Sequence, residues 1–145
     1  MMRISGQGIA LIKEFEGYSP GVYLCPGEKA TIGYGHALLP GEEHLKSGIT
    51  RQQAEALLLQ DVRFAEDAVN AQVRTTLSQN QFDALVSFVY NVGVTAFSHS
   101  TLLCLLNENA MVAAAGQFSR WIYASDKKLP GLARRREAEY SLFIK

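Results

Sequence analysis

The sequence predicts an α+β fold that is mostly helical, with one small antiparallel sheet near the N-terminus. Helical patterns dominate the chain from Thr50 onward, whereas two short β-type runs lie together between residues 18 and 34. The 145 residues contain no repeat and no linker rich in Gly, Ser or Pro. Separate strand and helix regions without a linker are typical of one α+β domain.

The first predicted helix begins after Ser5 and ends at Glu16. Ser5 is a residue that commonly caps helices, and Gly17 provides the expected stop. The apolar side chains that would form its buried face recur at helical spacing, at Ile9, Leu11, Ile12 and Phe15.

A small antiparallel sheet is predicted from Tyr18 to Tyr34. Its strands are the runs Val22–Leu24 and Ala30–Ile32, joined by the turn residues 26–29. The glycines before His36 lack the context of a phosphate-binding loop, so we expect no nucleotide site. His36 is expected to be a hydrogen-bonded structural residue at the base of the sheet.

A long helix is predicted from the capping box of Thr50 and Gln53 to about Val73. At about 24 residues it would span roughly 36 Å. Its apolar stripe follows the helical period and consists of Ala54, Leu57, Leu58, Val62, Ala65 and Val69.

The second half of the chain is predicted to contain helices separated by short breaks. Ser78 caps a helix that is apolar on several sides over 82–90 and ends at Gly93. Shorter helical patterns cover 100–107, 111–121 and, after the break at Leu129-Pro130-Gly131, 132–143.

Composition and charge restrict the class of function. Fourteen basic and 14 acidic side chains cancel, so the chain lacks the basic excess that is typical of nucleic-acid-binding proteins. The histidines share no metal-ligand spacing, and we expect no metal and no cofactor. The apolar run 9–12 is too short for a signal sequence or membrane anchor, which favours retention in the cytoplasm.

The two cysteines, Cys25 and Cys104, lie far apart in the sequence and have no CxxC spacing. A disulfide between them stays open, but their number does not indicate a disulfide-rich scaffold. Cys104 lies within an apolar run and is expected to be a small core residue.

A carboxylic acid, a thiol and a hydroxyl follow one another at Glu16, Cys25 and Thr31, separated by eight and then five residues. An acid at a helix end that faces a hairpin is one way to build a cleft with reactive groups on both sides. The same residues also fit a helix terminus, a half-buried thiol and a β-branched strand residue. The spacing alone leaves both interpretations open.

With these residues in view, the chain resembles the phage-type lysozymes, which are muramidase endolysins. The resemblance covers nearly the whole chain, and its most specific part is Glu16, Cys25 and Thr31 followed by Ile-Gly-Tyr-Gly-His through His36. Further matching segments are Leu77–Leu85, Tyr90–Gly93, Phe118, Trp121 and Gly131–Glu137.

The resemblance implies hydrolysis of the β-1,4 bond between N-acetylmuramic acid and N-acetylglucosamine in peptidoglycan. It also implies one catalytic domain, 1–145, with a two-lobed lysozyme-like fold. The N-terminal lobe with the sheet would cover about 1–50, an inter-lobe helix about 50–73, and a helical C-terminal lobe about 74–145.

In that family, Glu16 corresponds to the general acid, which must enter the reaction protonated. An arginine commonly pairs with this acid, and Arg134 or Arg135 is the candidate. Cys25 stands where many relatives carry Asp, so it would act either as a thiolate nucleophile or, with the Thr31 hydroxyl, as a group that positions water. We favour inversion, as in the relatives with Asp. Candidate sugar contacts are Tyr34, Tyr90 and Asn91, and His36 is a candidate structural support.

The resemblance further implies a monomer that acts on glycan strands, stays in the host cytoplasm until lysis and is released with the help of a holin-type membrane protein. Two alternatives remain. A lytic transglycosylase would use one acid and no water, and would release a 1,6-anhydro sugar. A non-catalytic wall-binding module would keep the fold without needing the acid and the thiol.

Overall fold

The computed structural model describes residues 1–24, 29–124 and 126–145, and it confirms the predicted α+β class. The chain forms two compact units, one of Ile12–Arg63 and one of Met1–Leu11 with Phe64–Lys145. These bounds differ from those of the predicted lobes, because the first residues belong to the second unit. The backbone N–H groups of Met2, Ile4 and Ser5 donate to Asn70, Glu66 and Asp83, respectively.

The first helix, α1, covers Gly6–Glu16 as predicted. Gly17 ends it with a left-handed φ of 71°, and its N–H donates to the Lys13 carbonyl at 3.0 Å. A left-handed residue after the last helical turn is the common way in which a helix stops, and glycine adopts it without strain. The hydroxyl of Ser5, which was predicted to cap this helix, donates to the Asp83 carboxylate.

The predicted sheet is present, with one additional strand. Strands β1, Ser19–Leu24, and β2, Ala30–Gly33, pair antiparallel, and the short β3, His36–Ala37, continues the sheet beyond β2. Thr31 lies opposite Tyr23 on one side and Ala37 on the other. Residues 26–28 of the predicted turn lie outside the described residues.

The long helix predicted from Thr50 to Val73 is divided into α2, Arg51–Asp61, and α3, Arg63–Gln72. The capping box of Thr50 and Gln53 begins α2 as predicted. Val62 between the helices keeps right-handed φ and ψ, and its N–H donates to both Gln60 and Leu58 carbonyls. Val62 thus keeps the helical hydrogen bond to Leu58 at 2.9 Å, and the interruption is confined to this one residue. A 3₁₀ turn, Glu43–Ser47, precedes α2.

The second unit contains most of the helices. Ser78 and Gln81 form a capping box at the start of α4, Gln79–Val92, whose residues 82–89 are all buried, as the apolar pattern predicts. The predicted helix 111–121 is shorter, since Gly116 follows α7 and a 3₁₀ turn takes up Phe118–Arg120. The remaining elements are α5 Val94–Ser98, α6 Thr101–Asn107, α7 Met111–Ala115, β4 Tyr123–Ala124, β5 Lys127–Lys128 and α8 Pro130–Phe143. Strands β4 and β5 pair antiparallel and form a second small sheet that the sequence pattern does not predict.

An aromatic cluster and a buried ionic network hold α4 against α8. Phe88 packs edge-to-face against Phe118 and Trp121, at ring-centroid distances of 5.5 and 5.4 Å. Beside it the Ser87 hydroxyl donates to the fully buried Glu139 at 2.6 Å. Burying a carboxylate this deeply is tolerated only when hydrogen bonds and cations surround it.

The expectation that Cys104 is a core residue is wrong, because its side chain is exposed. Leu102, Leu103 and Leu106 occupy the buried face of α6, and Cys104 lies on a different face of the same helix. Within 1–24, 29–124 and 126–145, no helix combines the length and the apolar content that a membrane crossing would require.

Candidate functional site

Glu16, the predicted general acid, is the last residue of α1 and is half-buried. Because Gly17 turns the chain immediately afterwards, the Glu16 side chain lies at a helix end, outside the middle of any regular element. Glu16 and Thr31 both belong to the unit Ile12–Arg63. The structure thus places the two described members of the predicted trio in one compact unit.

The turn between β2 and β3 lies directly against the Glu16 carboxylate. Gly35 in this turn has a left-handed φ of 86°. A Cβ atom built on Gly35 would lie 2.8 Å from Glu16 Oε1 and 3.6 Å from Cδ. The absence of a side chain at position 35 therefore creates the space that the carboxylate occupies.

Thr31, predicted to orient a water, is buried in the middle strand with 4% of its surface exposed. Its Oγ1 donates to the carbonyl of Lys29 at 3.0 Å. A hydroxyl has one proton and two lone pairs, so Thr31 can still accept a hydrogen bond from a water. Toward a water, the Thr31 hydroxyl is therefore available as a hydrogen-bond acceptor.

Cys25, the predicted thiol of the site, lies outside the described residues. The last described residue before it is Leu24, the end of β1 and 67% exposed. Its assignment to the site remains a prediction from the spacing and the resemblance.

His36 is buried, and both of its ring nitrogens lie within hydrogen-bond distance of a carboxylate. Its Nδ1 lies 2.7 Å from Asp61 Oδ2 and its Nε2 lies 2.9 Å from Glu42 Oε1. Burial acts to lower the pKa of His36, but the hydrogen bonds to Glu42 and Asp61 outweigh it, and the pKa is raised. The hydrogen bond from His36 lowers the pKa of Glu42, whereas burial raises the pKa of Asp61.

Of the predicted sugar contacts, Tyr34 is 7% exposed. Its ring packs on Tyr18 at 5.4 Å between centroids, and Lys13 Nζ lies 5.3 Å from the ring centre. A ring with so little free face is better suited to supporting the turn at Gly35 than to stacking on a sugar.

Tyr90 and Asn91, the other predicted sugar contacts, belong to α4 in the second unit. Tyr90 is half-buried and stacks on the exposed ring of Phe64, with centroids 6.0 Å apart. The side-chain oxygen of Asn91 accepts a hydrogen bond from Arg136. The pair of Tyr90 and Phe64 provides aromatic surface of the kind that sugars pack against.

The two predicted arginines have different environments. Arg134 is exposed, whereas Arg135 is buried, with its Nε 3.2 Å from Glu139 Oε2 and its Nη2 3.1 Å from the Ser87 carbonyl. Arg136 is also buried and lies 3.1 Å from Glu139. Burial raises the pKa of Glu139, and the nearby charges of Arg136 and Arg135 oppose that change. Arg135 and Arg136 therefore form part of the buried network of α4 and α8.

Several residues near the predicted site were missed from the sequence. Gly35 was recognised as a turn glycine but not as a neighbour of Glu16, and Asp61 and Glu42 were not connected with His36. Only the glycine carries a sequence signal, since a left-handed turn favours it. Nothing in the sequence around Asp61 or Glu42 indicates a contact with His36, which only the folded chain brings about.

Comparison with known proteins shows which family this chain resembles. The family described as phage lysozyme matches residues 13–139. An endolysin of Acyrthosiphon pisum secondary endosymbiont phage 1 is 40% identical over 148 aligned positions, covering 98% of each chain.

Solved structures agree with this. The muramidase domain of SpmX from Asticaccaulis excentricus has a TM-score of 0.91 at 38% identity, covering 100% of this chain and 99% of that one. A P22 lysozyme mutant has a TM-score of 0.90 at 37% identity, covering all of both chains. The chain therefore has a lysozyme-like fold and belongs to the phage lysozyme family.

Proposed function

We propose that this protein is an endolysin that hydrolyses the β-1,4 bond between N-acetylmuramic acid and N-acetylglucosamine in peptidoglycan. The observation that carries the proposal is the family match over residues 13–139, within which Glu16 stands at the end of α1 beside the glycine turn. A glycoside hydrolase of this class needs a carboxylic acid that can protonate the leaving oxygen. Glu16 is the group to which we assign that step.

The attack on the sugar carbon is assigned to a water on the other side of the bond. Thr31 would accept one hydrogen of this water, because its own hydroxyl proton is donated to Lys29. Cys25 would act either as a positioning group in its thiol form or as a nucleophile in its thiolate form. A positioned water leads to inversion at the sugar carbon, which is the outcome we favour.

The remaining predicted residues are assigned supporting roles. Tyr90 and Asn91 are proposed to contact the glycan, and Tyr34 to support the turn that faces Glu16. We assign His36 to holding the sheet, and we keep Arg134 and Arg135 as candidates for the arginine that pairs with the acid. None of these residues would exchange a proton with the sugar.

We further propose that the protein acts as a monomer on glycan strands, remains in the host cytoplasm until lysis and reaches the wall with the help of a holin-type membrane protein. The family membership supports the wall as its substrate. The cytoplasmic phase can be followed by fractionating cells before and after lysis begins.

The central test is Glu16→Gln, which keeps the size of the side chain and removes its acid. We expect an unchanged melting temperature and a loss of at least about 100-fold in the lysis of exposed cell walls, as is usual when a general acid is removed. Glu14→Gln, an exposed neighbour on the same helix, is the control and should lyse normally. Substantial lysis by Glu16→Gln would assign the acid to another residue.

The products of the reaction distinguish hydrolysis from the transglycosylase alternative. Mass spectrometry of the released muropeptides should show reducing ends that incorporate oxygen from labelled water. Products with 1,6-anhydro ends would instead show that the sugar closes on itself without water. Wall binding by the protein without any released product would favour the non-catalytic alternative.

A further inference from the structure

We propose that Gly35 is a positioning residue for Glu16, and that the missing side chain at position 35 sets where the carboxylate lies. The inference rests on the proposed role of Glu16 as the proton donor. It concerns the turn Tyr34-Gly35 between β2 and β3, which the sequence indicates only as a turn.

Gly35 lies close to the last three heavy-atom positions of the Glu16 side chain. A Cβ atom on Gly35 would lie 2.8, 3.6 and 4.0 Å from Oε1, Cδ and Cγ of Glu16. Real Cβ atoms essentially never approach a heavy atom closer than 3.0 Å. Any residue other than glycine at position 35 therefore requires that either the turn or the carboxylate moves.

The turn is the more rigid of the two partners. Ile32 pairs with His36 across it, and the His36 ring is held at 2.7 Å from Asp61 and 2.9 Å from Glu42. The Glu16 carboxylate is the far end of a side chain with several rotatable bonds, whose staggered rotamers give it alternative positions. A methyl group at position 35 would therefore displace the carboxylate and leave the turn in place.

Such a displacement would matter because proton transfer depends on geometry. A general acid must come within hydrogen-bond reach of the oxygen that it protonates. Misplacement by 1 Å can reduce a rate by roughly 100-fold. Gly35 would thus control catalysis through Glu16 without touching the sugar itself.

The experiment compares Gly35→Ala with Gly41→Ala. Gly41 has a nearly identical φ of 91°, but its added Cβ would have no neighbour within 4 Å. Both variants carry the same backbone strain, so we expect similar decreases in melting temperature. Lysis should decrease by roughly 10- to 100-fold in Gly35→Ala only. An equal loss of lysis in both variants would overturn the inference.

A second measurement reports the carboxylate itself. In protein labelled with ¹³C at glutamate Cδ, the Glu16 resonance is assigned from its disappearance in Glu16→Gln. We expect its chemical shift to change in Gly35→Ala and to stay unchanged in Gly41→Ala. An unchanged Glu16 resonance in Gly35→Ala overturns the inference, whether or not Glu16 is the acid.

The two measurements separate this inference from the proposed function. A displaced Glu16 resonance with full lysis would support the role of Gly35 and contradict Glu16 as proton donor. If Gly35→Ala does not fold, the pair Gly35→Asn and Gly41→Asn replaces it, because Asn tolerates left-handed φ better than Ala while still carrying a Cβ. For that pair, too, we expect the loss of lysis and the changed Glu16 resonance only in the position-35 variant, and equal effects in both variants would overturn the inference.

Discussion

The hydroxyl of Thr31 donates to the Lys29 carbonyl, which leaves only its lone pairs to orient a water. A water that donates one hydrogen to Thr31 still needs a group that takes or fixes its other hydrogen. The resemblance implies a carboxylate at position 25 in many family members, and a carboxylate is a base at neutral pH whereas a thiol is mostly protonated. At the scale of single residues, the chemistry of the site therefore depends on what position 25 contributes.

Substitutions at position 25 test that contribution. We expect Cys25→Ser to lose most of its lysis activity, because a hydroxyl is a far weaker acid than a thiol, and Cys25→Asp to retain part of it. Initial rates of turbidity loss measure both effects, with melting temperatures as the check on folding. Equal activity of all three proteins would mean that position 25 is structural.

Alkylation completes this test, since the exposed Cys104 provides a matched control. A thiol reagent should inactivate the wild type and Cys104→Ser but spare Cys25→Asp. Equal inactivation of the wild type and Cys25→Asp, together with protection in Cys104→Ser, would assign the sensitivity to Cys104.

At the scale of elements, His36 joins three parts of the unit Ile12–Arg63. They are strand β3, the loop at Glu42 and the end of α2 at Asp61. Its raised pKa means that the folded state binds the proton more tightly than the unfolded chain. This stabilisation is complete below the ordinary histidine pKa of 6.5 and is lost as pH rises through the higher folded value. The lowered pKa of Glu42 stabilises the folded state at pH values above the ordinary glutamate pKa of 4.5. The raised pKa of Asp61 has the opposite effect on stability.

The free energy of unfolding should therefore depend on His36 most strongly between about pH 4.5 and 6.5. We expect His36→Gln to cost roughly 1.5–3 kcal/mol at pH 5.5, the usual range for hydrogen bonds to charged groups, and less at pH 9. Urea unfolding at both pH values measures the difference. His99→Gln, at an exposed histidine, is the control. If the loss of unfolding free energy in His36→Gln stays constant or increases toward pH 9, the predicted pH dependence is wrong.

At the scale of the whole molecule, the basic and acidic side chains cancel at 14 each. A protein of zero net charge lacks the long-range attraction by which a cationic protein is steered to an anionic surface. The proposed substrate, the bacterial wall, is such a surface. Binding to it would then depend on short-range contacts such as aromatic stacking and hydrogen bonds, which salt screens only weakly.

Lysis of isolated walls should consequently change less than about threefold between 50 and 200 mM salt. Glu108→Lys, at an exposed position of the second unit, provides the comparison because it raises the net charge by two. That variant should lyse faster than the wild type at low salt and lose this advantage at high salt. A steep decrease for the wild type would instead indicate a local cationic surface that dominates binding.

The sequence by itself determined the features that depend on neighbouring residues. The capping box at Thr50, the cap at Ser78, the stop at Gly17 and the burial of α4 were predicted correctly. Each of them follows from hydrogen bonds or side-chain periodicity within a few residues. The positions of Glu16 at a helix end and of Thr31 in a strand were predictable for the same reason, since both elements are locally encoded.

Only the tertiary structure decided which distant residues meet. It exposed Cys104, divided the predicted long helix at Val62 and brought Asp61 to His36, 25 positions away. It also placed Gly35 against Glu16, a contact that periodicity cannot encode. The physical reason is that local patterns fix which face of an element is apolar, whereas the partner on that face is chosen by the packing of the whole unit.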